Sequence, residues 1–302
     1  MASASRMTPR IRRRPRSDLR VALLFIAPAA MGFVAFYFLP AIRGLWFSFT
    51  DQNLIGSGDF IGTANYERMF DDPLFWNALW VTIQYVVINI GVQTVLALAL
   101  AVLLHRLTRS IVIRGIVLLP YLVANVVVAL VWFWMSDYSI GIINVVLEEV
   151  GLDRVAFFGD PAMAIPTVAL INVWRFLGYT ALLLFAGLQM IPPQYYEAAA
   201  LDGASEWRMF WTITLPLLRP VLALVLVISV VGSFQIFDTV AVTTEGGPVN
   251  ATRVIYYYIY QQAFERFDLG YASAIAVFLV VMLASIAYLQ LKIMRSDRSD
   301  LA

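Results

Sequence analysis

Cysteine is absent from this chain of 302 residues, and histidine and lysine occur once each, as His105 and Lys292. The lack of cysteine excludes a disulfide framework, a thiolate nucleophile and a thiolate metal site. The single histidine stands beside Arg106 at the end of an apolar run, and it cannot supply a catalytic triad or a histidine-rich metal site. We therefore expect no catalytic residue and no metal ligand in this chain.

A phosphate-binding loop is also missing from the sequence. The P-loop motif Gly-x-x-x-x-Gly-Lys-Ser/Thr surrounds phosphates with backbone amides and a lysine side chain. The one lysine, Lys292, lies in Leu-Gln-Leu-Lys-Ile, with no glycine-rich loop before it. If ATP drives this protein, ATP and Mg²⁺ must bind to a separate ATPase chain. We predict that the chain itself is not an enzyme and holds no cofactor.

Charged residues are scarce and apolar residues are abundant. Charged residues make up 14% of the chain and hydrophobic residues 61%, with a mean hydropathy of +0.78. Soluble domains carry about 25% charged residues, and a spanning helix needs about 20 apolar residues. Six runs meet that length, at 21–42, 79–104, 111–135, 163–190, 217–242 and 270–293. The composition predicts an all-α, polytopic membrane protein with six transmembrane helices, surrounded by the lipid bilayer and without a nucleic-acid partner.

Arginine is distributed unevenly among the segments that connect these runs. It is concentrated in alternate segments, which the positive-inside rule assigns to the cytoplasm. The basic residues of those segments are Arg6, Arg10, Arg12, Arg13, Arg14, Arg16, Arg20, Arg106, Arg109, Arg114, Arg208, Arg219, Lys292, Arg295 and Arg298. We predict that both termini are cytoplasmic. The chain then divides into an Arg-rich cytoplasmic tail (1–20), a six-helix transmembrane domain (21–294) and a second cytoplasmic tail (295–302).

A short polar segment separates the fourth apolar run from the fifth. The prolines at 192–193 end one helix and suit the first turn of the next, in which three consecutive alanines favour helix. Gly203 can adopt the left-handed conformation that ends a helix, and Ser205 can cap a second one. Pro216 should break or kink that second helix at the membrane. We predict a helix–turn–helix at about 192–215, flush with the cytoplasmic surface, and call it the coupling segment.

The order Glu-Ala-Ala, Asp-Gly-Ala and Ile-x-Leu-Pro along the coupling segment closely resembles the coupling motif of permease subunits in binding-protein-dependent ABC importers. The pairs Asn65-Tyr66 and Phe237-Asp238 are similar to the carbohydrate, maltose-permease-type members, and the resemblance covers nearly the whole chain. It implies a type I ABC importer permease fold in a bacterial plasma membrane. The residues to which it gives ATPase coupling are Glu197, Ala198, Ala199, Asp202, Gly203, Ala204 and Arg208.

The same resemblance implies a complex that imports a sugar. A second permease subunit completes a heterodimer, a dimer of ATPase subunits binds ATP and Mg²⁺, and an external solute-binding protein delivers the carbohydrate. This chain would form half of the translocation pathway. Closure of the ATPase dimer would turn the pathway from inward facing to outward facing by moving packed helices. The loop containing Gly246, Gly247 and Pro248 would face the binding protein.

Polar residues inside the apolar runs mark candidate positions along the substrate path, because such residues are costly in lipid. The fourth and fifth runs resemble the segments that contact sugar in the maltose-type permease. The candidates there are Asn172, Trp174, Arg175, Tyr179, Ser229, Ser233 and Gln235, and other polar positions are Asn89, Gln93, Asn125 and Asp238. The alternative for each is hydrogen bonding between helices. For Asp238 we favour such a structural role, with an arginine as partner.

Two other functions fit the composition. An ABC permease for a glycerol-phosphate-type solute would use Arg175 to bind the anion. An ion-coupled secondary transporter would use Asp238 and Arg175 to move protons, and would transport its solute without any ATPase.

Overall fold

The computed structural model describes residues 16–108 and 110–294, with the side chains of residues 16–20 and 294 left aside. Most of the Arg-rich tail, Arg109 and the tail at 295–302 therefore lie outside the described residues. Within the described ranges the chain is helical, without a β-strand, and two isolated bridges join Thr50 to Phe60 and Asn53 to Asp268. This confirms the predicted all-α class.

Fourteen α-helices follow one another along these ranges. They are α1 (Arg16–Phe33), α2 (Leu39–Phe47), α3 (Ala64–Asp71), α4 (Pro73–Leu107), α5 (Ile111–Leu122), α6 (Asn125–Met135), α7 (Ile142–Glu149), α8 (Pro161–Leu188), α9 (Gln194–Leu201), α10 (Glu206–Met209), α11 (Leu215–Phe234), α12 (Asp238–Thr243), α13 (Ile255–Tyr260) and α14 (Leu269–Met294). Three π-helical turns at Val34–Phe38, Phe210–Thr214 and Gln261–Glu265 join α1 to α2, join α10 to α11 and extend α13.

The spans agree with the apolar runs at five of six places. Among the described residues, five helical stretches are long and apolar enough to cross a membrane: Val21–Phe47, Pro73–Leu107, Pro161–Leu188, Glu206–Thr243 and Leu269–Ile293. The remaining run, the third in chain order at 111–135, was expected to be one helix. It is instead the pair α5 and α6, bent by 85°.

The break in this third span has a local cause. Pro120 lies in the last turn of α5 and removes a backbone donor there. The chain then leaves the helix at Val123 and Ala124, whose ψ angles of 140° and 135° are extended. Helix resumes at Asn125 in a new direction. The span count is six only when this bent pair is taken as one crossing.

Pro216 does not break its helix, which was one of the two outcomes expected from sequence. The π-helical turn Phe210–Thr214 passes directly into α11, and Pro216 lies in the first turn of α11. The amide of Leu215 bonds to the carbonyl of Phe210, five residues earlier. This wider turn leaves room for the proline ring, so the helix continues from the coupling segment into the fifth span.

Two apolar clusters form the core, one toward each end of the spans. The largest helix pairing is that of α4 with α8, and α11 packs against both. One cluster includes Phe75, Tyr85 and Val168, and the other includes Ala101, Leu184 and several neighbours. We call the end that carries the coupling segment the coupling end and the opposite one the far end. Between the two clusters, α4 contributes the polar side chains of Asn89 and Gln93 to a cavity.

The far end of α4 is held by a half-buried carboxylate. Asp72 caps α4, and its Oδ1 accepts a hydrogen bond of 2.8 Å from the backbone amide of Leu74. Its Oδ2 accepts hydrogen bonds from the hydroxyls of Tyr258 in α13 and Tyr271 in α14, the latter at 2.6 Å. One side chain thus joins three helices that are far apart in sequence.

Asp72→Asn should lower the melting temperature of the protein and remove part of its sensitivity to acid. Burial raises the pKa of Asp72, but the hydrogen bonds from Tyr258 and Tyr271 and from two backbone amides outweigh it and hold the pKa below its ordinary value of 3.8. Because the folded pKa is depressed, this stabilisation is complete above pH 3.8 and is lost as the pH falls through the folded value.

The expected loss is roughly 1.5–3 kcal/mol, the usual size for a hydrogen bond to a charged group. Thermal melts of both forms between pH 3 and pH 7 measure it. Asp71→Asn, an exposed carboxylate one residue earlier in the chain, is the matched control. Equal melting temperatures for the Asp72 and Asp71 variants across this range would show that the carboxylate does not join these helices.

Candidate functional site

The coupling segment forms two short helices joined by a tight turn. Gly203 follows α9 with a φ of +75°, the left-handed conformation predicted for it. The amide of Ala204 bonds back to the carbonyl of Ala199 at 2.9 Å, which closes the end of α9. The Ser205 hydroxyl accepts a hydrogen bond of 3.3 Å from the amide of Arg208 and caps α10. The predicted helix–turn–helix and both of its caps are confirmed.

The coupling segment is attached to the spans on one side and open on the other. The Tyr196 hydroxyl and Thr214 Oγ1 lie 2.9 Å apart and join α9 to the start of α11. Arg106, at the end of α4, forms an ion pair with Glu206 of α10. The candidate residues face the open side: Glu197, Ala198, Asp202, Gly203 and Arg208 are exposed, and Ala199 and Ala204 are half-buried. This surface is available to another protein.

A cavity of about 600 Å³ lies among α4, α5, α8 and α11, between the two apolar clusters. Six of the seven sequence candidates for the substrate path line it, and Trp174 does not. Those six are Asn172, Arg175, Tyr179, Ser229, Ser233 and Gln235, joined by Asn89, Gln93, Asn125 and Asp238. Trp174 is 43% exposed and packs edge-on against Trp132. The structure therefore brings together polar residues of helices that are distant in sequence.

Several aromatic residues that line the cavity were not among the sequence candidates, and Tyr85 and Tyr121 are two of them. Tyr85 precedes Asn89 and Gln93 at intervals of four, and this helical spacing places all three on one face of α4. That spacing could have revealed Tyr85. Tyr121 lies in α5, and its ring stacks on Tyr179 with centroids 4.5 Å apart. No local pattern indicates that contact, because it depends on how α5 packs against α8.

Several lining side chains bond to one another across the helices. Asn89 donates a hydrogen bond of 2.9 Å to the hydroxyl of Ser233, and Gln93 donates one of 2.7 Å to the hydroxyl of Thr180. Asn172 lies 3.4 Å from the Oδ1 of Asn89. Residues such as Asn89 and Ser233 therefore fasten α4 to α8 and α11, which is the role that the interhelical alternative predicted.

Other polar groups of the cavity have no such partner. Among the described residues, the buried hydroxyl of Tyr85 and the buried Oε1 of Gln93 make no hydrogen bond. A buried polar group without a partner is costly, so such groups usually meet a water or a ligand. The cavity thus presents both a donor and an acceptor that a hydroxyl-bearing molecule could satisfy.

Comparison with protein families identifies the family of the chain that carries this cavity and coupling segment. Residues 93–295 match the family model of the binding-protein-dependent transport system inner membrane component. The chain belongs to this family. The match begins inside α4 and includes most of the cavity lining, the coupling segment and the last span. This chain is accordingly a permease subunit, the membrane component of a binding-protein-dependent transport system.

Known relatives are similar to this permease in sequence and in structure along nearly its whole length. The trehalose/maltose transport system permease protein of Thermococcus litoralis is 34% identical over 283 residues, which cover 93% of this chain and 96% of the relative. A crystal structure of a bacterial ABC transporter involved in the import of the acidic polysaccharide alginate contains a chain with a TM-score of 0.81 and 25% identity. The match covers 94% of this permease and 99% of that chain.

A second crystal structure shows the alginate transporter in complex with a periplasmic protein that carries an alginate pentasaccharide. The permease matches a chain of that structure with a TM-score of 0.80 and 25% identity, over 95% of its own length and 99% of the other. The type I ABC permease fold expected from the coupling motif is thereby confirmed.

Asp238 of this permease has a different partner from the one expected. An arginine was expected from the sequence. Instead, Oδ2 of Asp238 accepts a hydrogen bond of 2.9 Å from the side-chain amide (Nδ2) of Asn125, the first residue of α6. Among the described residues, the ion pairs are Arg68–Asp268, Arg106–Glu206 and Arg154–Glu148, and none includes Asp238. An amide therefore takes the place of the expected arginine.

The loop with Gly246, Gly247 and Pro248 lies at the far end of the permease. Gly246 has a φ of +84°, which requires glycine at this turn. The buried hydroxyl of Thr252 donates a hydrogen bond of 2.6 Å to the carbonyl of Gly247, and Thr244 lies within 2.7 Å of the same hydroxyl. The turn is thus held in one shape at the end opposite to the coupling segment.

Proposed function

We propose that this chain is the permease subunit of an ATP-driven sugar importer and forms half of its translocation pathway by alternating access. The observation that carries the proposal is the polar cavity halfway along the spans, in a chain whose coupling segment is exposed at one end. A solute that crosses a membrane needs polar partners at mid-depth. A permease without a P-loop needs a surface on which a separate ATPase can act.

The chemistry of the cavity supports a carbohydrate as its solute. Sugars present hydroxyl groups, which need donors and acceptors, and C–H faces, which pack on aromatic rings. The cavity supplies amides at Asn172 and Gln93, a hydroxyl at Ser229 and the aromatic stack of Tyr121 and Tyr179. The relative named for trehalose and maltose and the alginate importer both handle saccharides, by their names.

The coupling segment supports the proposed partners. A dimer of ATPase subunits that binds ATP and Mg²⁺ would dock on the exposed face around Glu197 and Asp202. The Arg106–Glu206 ion pair and the Tyr196–Thr214 hydrogen bond would carry its movement into α4 and α11. A second permease subunit would complete the pathway as a heterodimer.

The far end supports an external partner. A solute-binding protein would deliver its sugar over the loop at Gly246, Gly247 and Pro248, and the alginate transporter that this permease resembles was solved in complex with a periplasmic protein. In this arrangement the complex lies in the bacterial inner membrane with both termini and the coupling segment in the cytoplasm, as the arginine distribution predicted. Movement of packed helices, not covalent chemistry, transports the solute.

Substitutions in the cavity should separate residues that bind the solute from residues that hold helices. Ser229→Ala should lower ATP-driven uptake a few-fold and leave the melting temperature unchanged, because Ser229 lines the cavity and makes no side-chain hydrogen bond to another described residue. Ser233→Ala should lower the melting temperature, because it removes the partner of Asn89. A lost hydrogen bond costs roughly 0.5–1.5 kcal/mol, which sets the scale of both effects.

The two serines are one helical turn apart on α11, so each is the matched control of the other. Uptake by reconstituted vesicles and thermal melts are measured on the same preparations. A loss of stability in Ser229→Ala with unchanged uptake per folded complex would assign Ser229 to packing. The proposal that the face of α11 with Ser229 lines the solute path would then be unsupported.

A further inference from the structure

The break in the third span leaves backbone groups without helical partners near the middle of the apolar run at 111–135. Where α5 ends, the carbonyls of its last turn have no partner in a following turn. Inside a membrane such groups must be satisfied by other parts of the protein, because lipid offers no hydrogen bonds. The break is lined by Tyr121 and Asn125, which both face the 600 Å³ cavity. Something must therefore hold the end of α5 and the start of α6 in place.

The end of α5 is held by Arg175. Its Nη2 donates hydrogen bonds of 3.2 Å to the carbonyl of Val123 and 3.5 Å to that of Tyr121, and its Nε lies 3.4 Å from the carbonyl of Val123. The guanidinium also lies 4.8 Å from the ring centroid of Phe176. Its planar fork of donors suits two neighbouring carbonyls, so this charge is engaged with backbone.

The residues one turn after Arg175 also serve the contact with α5. Gly178 has no side chain, and a Cβ there would lie 1.9 Å from the carbonyl oxygen of Val117 in α5. Tyr179 stacks on Tyr121. Positions 175, 178 and 179 share one helical face. This face of α8 is therefore built to receive α5, with Arg175 at the break.

The start of α6 is held by the opposite charge. Asp238, the first residue of α12, accepts the hydrogen bond from Asn125, the first residue of α6. Among the cavity-lining residues, Arg175 and Asp238 are the two with formal charge. The cation thus holds one side of the break and the carboxylate holds the other.

We propose that Arg175 and Asp238 are positioning residues that clamp the two sides of the break in the third span and so fix that span as one wall of the cavity. They act through the backbone of α5 and through Asn125, and neither serves as the binding site for a solute anion. The proposal rests on the proposed function only in taking this cavity as the transport path.

The angle between α5 and α6 tests the proposal directly. Because the chain has no cysteine, Ile113→Cys and Val131→Cys allow this chain to be spin-labelled at exposed positions of α5 and α6 alone, before it is assembled with its unlabelled partners. The distance distribution between the two labels is measured by double electron–electron resonance in the full complex in nanodiscs. Arg175→Gln and Asp238→Asn should each shift and broaden this distribution. The double variant should change it by less than the sum, because both act on one break.

Two control variants separate positioning from general damage. Arg219→Gln makes the same chemical change at an exposed position of α11 and should leave the label distance as in the unmodified chain. Arg175→Lys keeps the charge but loses the fork, so it should restore only part of the distance distribution. The melting temperature of each variant is recorded, and the shift should be present in samples that remain folded at the temperature of measurement.

The solute arm of the experiment uses two probes, trehalose and glucose 6-phosphate, in vesicles with ATP. Arg175→Gln should lower trehalose uptake roughly tenfold, as expected for losing hydrogen bonds to a charged group. An unchanged label distance in Arg175→Gln would overturn the proposal, as would uptake of glucose 6-phosphate that this variant alone abolishes. If the unmodified complex moves neither probe but the label distances respond, the clamp stands and the proposed sugar function loses support.

Discussion

Gly178→Ala should prevent stable folding of the permease or destabilise it by several kcal/mol. The added Cβ would lie 1.9 Å from the carbonyl oxygen of Val117 and 2.7 Å from its carbon, so the backbone of α5 would have to move away from α8. Overpacking of this kind costs roughly 1–3 kcal/mol even where side chains can adjust, and here the obstacle is backbone. The yield of assembled complex and its melting temperature measure the effect.

Gly115→Ala is the matched control for that substitution. Gly115 lies in α5 itself, and a Cβ there would meet no atom within 4 Å. This variant should fold with unchanged or slightly higher stability, since alanine favours helix over glycine by about 1 kcal/mol. Equal yields and melting temperatures for the two variants would contradict the close approach of α5 to α8, and with it the wall of the cavity.

Glu197→Lys should abolish the coupling of this permease to its ATPase while leaving the permease inserted and folded. Glu197 is exposed in the first turn of α9 and bonds to no other described side chain, so its loss costs little stability. Reversing its charge changes the face on which the ATPase is proposed to dock. Co-purification of the ATPase and ATP hydrolysis stimulated by loaded binding protein should both fall at least tenfold, the effect of about 1.4 kcal/mol at an interface.

Glu149→Lys reverses the charge of an exposed glutamate at the end of α7, away from the coupling segment. It should leave hydrolysis and co-purification unchanged. Gly203→Pro is a second test of the same surface, because proline cannot adopt the φ of +75° found there. If stimulated hydrolysis stays at the level of the unmodified complex in both Glu197→Lys and Gly203→Pro, the coupling segment is not the docking surface.

Local features of this fold followed from the sequence because their causes are local. Five spans agree with their apolar runs, Gly203 takes the left-handed conformation that ends α9, and Ser205 caps α10. Each depends on neighbours within a few residues. The resemblance at the coupling segment was also carried by a contiguous motif, and the family match confirmed it.

Features that depend on packing between distant helices did not follow from the sequence. Pro120 signals an irregularity in the third span, but the 85° bend is also set by the approach of α8 at Gly178. The hydrogen bond from Asn125 to Asp238 joins residues 113 positions apart. Trp174 has a side chain suited to binding sugar, but it lies against Trp132 on a face of α8 that does not line the cavity. The polar residues in the apolar runs indicated which helices line the cavity. Which face of each helix lines the cavity depends on how the helices pack.

Uptake by purified, reconstituted components tests the central claim most directly. Vesicles are prepared with this permease, its second permease subunit and the ATPase, and labelled trehalose is offered with the binding protein on the opposite side of the membrane from ATP and Mg²⁺. The account predicts uptake that requires ATP, the ATPase and the binding protein together, and that Glu197→Lys removes. Vesicles with this chain alone should neither bind ATP nor accumulate the sugar under a proton gradient. Accumulation by the chain alone, driven by that gradient and indifferent to the ATPase, would contradict the account.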